Sequence, residues 1–101
     1  MRFEHKKPQT NIINLARTIG YHLIGNTPEK ESNLVRQLAA NGYPRFHLYL
    51  SEQNENLIFS LHLDQKKPSY EGQTAHSGDY DSELVLGERQ RLEKILDNLI
   101  A

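Results

Sequence analysis

The sequence has no cysteine and no tryptophan, and among its 101 residues there are one methionine and four prolines. Without cysteine there can be no disulfide framework, no thiolate metal site and no thiol nucleophile, so a bound metal would have to be held by nitrogen and oxygen. No apolar run reaches the roughly 18 residues needed to span a bilayer, so no membrane partner is expected. The opening Met1-Arg2-Phe3-Glu4-His5-Lys6-Lys7 is too polar for a secretory signal, which points to a cytoplasmic protein. Also missing are a glycine-rich phosphate loop, an RNA-recognition consensus, paired zinc knuckles, a nucleophile elbow, internal repeats and heptads. Hydrophobic residues make up 37% and charged residues 25%, a polar balance still compatible with one folded domain over residues 1–101.

A strong charge of either sign is lacking as well: the formal net charge is −1. It is unevenly spread, however. Residues 1–50 carry seven Lys/Arg against three Asp/Glu, and residues 51–101 carry five against ten. A polyanion-binding surface would draw on the first half, whereas the simpler reading is that the two halves pair with each other in the fold.

The clearest pattern in the sequence is a hairpin. Arg45-Phe46-His47-Leu48-Tyr49-Leu50 and Leu57-Ile58-Phe59-Ser60-Leu61-His62-Leu63-Asp64 alternate apolar and polar residues around a polar tip. A one-residue slip would turn one apolar set toward water, so parity fixes the register. A tight turn on Asn54-Glu55 pairs Phe46 with Leu63, Leu48 with Leu61 and Leu50 with Phe59. The other face then sets Arg45 against Asp64, His47 against His62 and Tyr49 against Ser60.

Two helices are expected before this hairpin. Ile12, Leu15, Ala16, Ile19 and Leu23 recur at helical spacing after a Thr10 or Asn11 cap, with a stop at Gly25-Asn26. Thr27-Pro28-Glu29 then reads as a helix start, Leu34, Val35, Leu38 and Ala39 as its apolar side, and Asn41-Gly42 as its end. Residues 1–7 read as a frayed tail or a short edge strand. A long aperiodic loop runs from Gln65 to Asp79. The apolar positions from Leu84 to Ile100 predict a C-terminal helix capped by Asp81 or Ser82, with 83–86 a third strand if Gly87 breaks it. The expected fold class is therefore α+β: two N-terminal helices, an antiparallel β-hairpin in a small sheet, a long loop and a C-terminal helix. A lone hairpin is marginal in water, so helices, a third strand or a partner subunit in an oligomer should complete it.

The polar hairpin face and the loop supply the candidate site. His62-Leu63-Asp64 puts an imidazole and a carboxylate on one strand face, and His76 or His47 would complete a two-histidine, one-carboxylate set for a divalent metal. The metal-site residues are thus His62, Asp64 and His76, which suggests a metal-dependent hydrolase as one function. A binding module for a protein or small-molecule ligand is the first reading, with Arg45, His47, Tyr49, Lys66, Lys67 and Tyr70 as its contact residues. Basic groups interleaved with tyrosines also suit single-stranded nucleic acid, the third reading, to which Arg36 and Tyr43 could add. The plain alternative is a solvated strand face with an Arg45–Asp64 ion pair and His47 stacked on His62, half exposed.

The segments Gly42–Leu50, Leu61–Tyr70 and Ala75–Asp81 resemble a pattern in small bacterial proteins that have no assigned activity. The resemblance implies a bacterial, cytoplasmic, stand-alone domain and brings no catalytic residues or cofactor with it.

Overall fold

The computed structural model describes residues 1–65 and 82–100, together with the backbone of 78–79. Five strands, β1 (Arg2–Lys6), β2 (His22–Asn26), β3 (Ser32–Gln37), β4 (Arg45–Gln53) and β5 (Asn56–Asp64), form an antiparallel sheet in the order β1-β5-β4-β3-β2. A two-residue strand, β6 (Gly78–Asp79), pairs with the end of β5 beyond the stretch that β1 covers. Helix α1 (Ile12–Ile19) links the two edge strands β1 and β2, and α2 (Glu83–Ile100) follows the sheet.

The expected architecture is corrected in its first half. Among the described residues there are two helices, one of them short and one C-terminal, and the rest is mostly sheet. Helix α1 begins as expected, with Asn11 Oδ1 accepting from Asn14 N–H at 2.8 Å, but stops at Gly20, whose φ of 85° is the left-handed cap that glycine adopts freely. The apolar residues beyond it belong to β2. The second expected helix is a hairpin instead. Thr27 behaves as a turn residue: its N–H donates to Glu31 O, its carbonyl accepts from Lys30 N–H, and its Oγ1 accepts from Glu31 N–H at 3.1 Å. Tertiary burial decides the segment that follows, because Leu34 and Val35 are both buried, on opposite faces of a strand flanked by β2 and β4.

The β4–β5 hairpin has the register expected of it. Arg45 pairs with Asp64, Phe46 with Leu63, His47 with His62, Leu48 with Leu61, Tyr49 with Ser60 and Leu50 with Phe59, and the turn is Asn54-Glu55. Phe46, Leu48, Leu50, Phe59 and Leu61 are buried and share one core with Leu15, Ala16 and Ile19 of α1 and Val85, Leu92 and Leu96 of α2. Both helices therefore lie on the same face of the sheet. Phe3, apparently isolated among charges in the sequence, alternates into this core from β1 and stacks on Phe59 with ring centroids 4.7 Å apart. Residues 83–86 open α2, where Ser82 Oγ accepts from Val85 N–H, and Gly87 continues the helix.

The two chain halves do pair across the fold. Lys7 meets Glu52, Arg36 meets Glu88, Arg45 meets Asp64 and His5 meets Asp97. No helix among the described residues is long and apolar enough to cross a membrane.

Candidate functional site

Alternation along β4 and β5 sends Arg45, His47, Tyr49, Ser60, His62 and Asp64 to the face opposite the helices. Asn33 of β3 pairs with Tyr49, and Val35 pairs with His47, so both join the same face. Asp64 is the hub. Its Oδ2 accepts from Arg45 Nε at 3.2 Å and faces His47 Nδ1 at 3.1 Å, while Oδ1 faces His62 Nε2 at 2.8 Å. His47 Nε2 contacts Asn33 Oδ1, so both nitrogens of this ring look at oxygen. The rings form a layer: His47 lies 4.8 Å from His62 and 4.6 Å from Tyr49, centroid to centroid. The Arg45 guanidinium carbon sits 4.8 Å above the Tyr43 ring, a cation–π contact.

The cluster is more enclosed than the half-exposed row expected of a solvated strand face. The side chains of His47, His62 and Asp64 are 11%, 13% and 14% exposed. Burial opposes ionisation of Asp64. Hydrogen bonds from His47 and His62, the positive charge of His62 and the hydrogen bond from Arg45 together outweigh it and hold the carboxyl well below the usual carboxylate range.

Among the described residues, one group has the composition and spacing to hold a metal ion, with one donor atom each from His47, His62 and Asp64 within 4.8 Å of one another. His62 and Asp64 are thus together as expected, and His47 takes the third place. Of the other expected residues, Arg45 and Tyr49 stand on the same face, whereas Lys66, Lys67, Tyr70 and His76 lie outside the described residues. Arg36 does not flank this face: it pairs with Phe46 on the helix side and binds Glu88.

Two features were hidden in the sequence. Asn33 fell inside an expected helix, so its approach to His47 could not be read. The other is a second polar cluster on the helix side, around Glu88. Its Oε2 accepts from the Tyr21 hydroxyl at 2.6 Å and from Arg91 Nη2 at 2.9 Å, and its Oε1 accepts from Arg36 Nη1 and Arg91 Nε. Arg91 Nη2 also donates to the Ile19 carbonyl at 2.7 Å. Burial, then the charge of Glu88 and the hydrogen bond to it, push the Tyr21 hydroxyl far above its ordinary value. A readable signal did exist here: Glu88 occupies the buried stripe Val85, Glu88, Leu92, Leu96, and a carboxylate there requires donors.

Comparison with protein-family models, with curated proteins and with solved structures finds no match to this chain.

Proposed function

We propose that the protein is a small binding module whose ligand rests on the face of the sheet opposite α1 and α2, against Arg45, His47 and Tyr49. The observation that carries this reading is the position of the polar cluster. Asp64, two histidines, an arginine and a tyrosine converge on a face where neither helix packs, yet they are largely withdrawn from water. A few convergent polar groups beside aromatic surface are the ordinary makings of a small-ligand site. Arg45 supplies a cation and the His47–Tyr49 layer a flat surface, a combination suited to a small planar or oxygen-rich anion. Single-stranded nucleic acid is the weaker reading, because the net charge is −1 and Arg36, which could have added to this face, binds Glu88 on the other.

Ligand-observed NMR tests the proposal with a panel of inorganic phosphate, nucleoside monophosphates and aromatic carboxylates. At least one member should bind, and its affinity should fall about tenfold in Arg45→Ala, the loss of one charge-assisted contact. Tyr49→Ala should weaken it too, with the fold retained in both variants. Silence from the whole panel, or binding indifferent to both substitutions, would count against the reading.

A further inference from the structure

We infer that His47, His62 and Asp64 bind a borderline divalent cation, with Zn²⁺ as its representative, and that Asn33 and Arg45 aim the ligands. This rests on the reading of the face opposite α1 and α2 as the binding site and names one of its ligands. The donor set is right for such a cation: two imidazoles and one carboxylate, without thiolates that would narrow the choice to softer metals.

The geometry is close to what coordination requires. Bonds of about 2.0–2.1 Å in a tetrahedron put neighbouring donors about 3.3 Å apart. One donor atom from each of His47, His62 and Asp64 already lies within 4.8 Å of the others, and His62 Nε2 stands 2.8 Å from Asp64 Oδ1. The His62–Asp64 contact needs to open by only about half an ångström to reach that spacing.

The surroundings fit as well. His47 Nε2 faces Asn33 Oδ1, a contact that would keep a proton on Nε2 when a cation displaces the one Nδ1 shares with Asp64, and so would hold Nδ1 toward the metal. Arg45 occupies Asp64 Oδ2 and leaves Oδ1 to coordinate through one oxygen. Outer hydrogen bonds of this kind orient metal ligands in established sites.

Three protein donors leave one position of a tetrahedron open. The charges of Arg45 and Asp64 cancel, so a bound dication leaves a surplus of positive charge in an enclosed setting. An oxyanion in the open position would relieve it, with Arg45 alongside. The anion expected under the proposed function and the cation inferred here would then reinforce each other's binding.

Isothermal titration of the untagged full chain with ZnCl₂ tests the inference. One site should appear, weakened tenfold or more by His62→Gln and by Asp64→Asn, and about tenfold or more by Asn33→Ala. His5→Gln and His22→Gln should leave it unchanged. Co²⁺ added to the unmodified chain should give the intense visible absorption of a four-coordinate site, which Zn²⁺ then abolishes. This arm decides the matter even if a variant does not fold. Absence of Zn²⁺ heat and Co²⁺ bands at millimolar metal, or a site lost in His5→Gln or His22→Gln and kept in His62→Gln, would overturn it. If the metal fails but the anion panel still responds to Arg45→Ala and Tyr49→Ala, the cation inference falls and the binding face stands. If Zn²⁺ binds as expected and no anion binds with or without it, the cation stands and the anion reading falls.

Discussion

Glu88 and Asp64 are both carboxylates withdrawn from water and surrounded by donors, on opposite faces of one sheet. Glu88 is held by two arginines and a tyrosine, groups that keep their protons throughout the physiological range. Its partners are Tyr21 just before β2, Arg36 of β3 and Arg91 of α2 itself, so it ties the C-terminal helix to the sheet. Asp64 is held by one arginine and two histidines, all from its own hairpin. Imidazoles exchange protons near neutral pH and take metal in their place. Two clusters alike in burial and polarity thus differ in whether their donors can be displaced. A cluster of permanent donors works as a clamp, whereas exchangeable donors can make room for a ligand.

The largest expected effect is on the clamp. Glu88→Ala leaves two guanidinium groups and a phenol without their carboxylate and should destabilise by about 3–5 kcal/mol in denaturant unfolding. Phe59→Ala, which empties the centre of the core, sets the scale with a loss of about 3–5 kcal/mol. If Glu88→Ala costs less than about 1 kcal/mol, the contrast between the clusters disappears.

Tyr21→Phe should cost about 1–3 kcal/mol, the range for a buried hydrogen bond to a charged group. Its pH dependence sharpens the point. The folded-state value of Tyr21 is raised, so its contribution is complete below the ordinary tyrosine range near 10 and is lost as pH climbs above it. Stability of the native chain measured from pH 9 to 11 should therefore fall more steeply than that of Tyr21→Phe.

Asp64→Asn should cost less than Glu88→Ala, about 1–3 kcal/mol at neutral pH, because the amide keeps the side chain's shape and some of its hydrogen bonds. The sign is opposite to that of Tyr21. The folded-state value of Asp64 is depressed, so its contribution is present above the ordinary aspartate range near 4 and is lost as pH falls below it. Acid titration of stability should show a steeper loss in the native chain than in Asp64→Asn.

The hairpin that carries the candidate site was legible because strict alternation and two matched arms leave one register that buries both apolar sets. His47 opposite His62 and Arg45 opposite Asp64 followed from parity alone. The region before it was misread because its local signals favour a helix while its environment requires a strand. Thr27-Pro28-Glu29 has the chemistry of a cap, and only the return of the chain through Lys30 and Glu31 makes it a hairpin turn. Leu34 and Val35 as neighbours fit a helix side, but they also fit a central strand buried on both faces. That error removed Asn33 from view and placed Arg36 on the wrong face. Phe3 looked isolated because its partners, Phe59 and the core beyond it, are remote in sequence.

The contrast between an exchangeable and a permanent cluster is tested most directly by two-dimensional NMR of the untagged chain during addition of Zn²⁺, following backbone amides and imidazole resonances together. Changes should be confined to Asn33, Arg45 to Tyr49 and Ser60 to Asp64, with His47 and His62 responding in step. Tyr21, Arg36, Glu88 and Arg91 should stay where they are. A spectrum that does not respond, or one in which the shifts centre on His5 and Asp97, on His22 or on Glu88, would contradict the assignment of the site to the face opposite the helices.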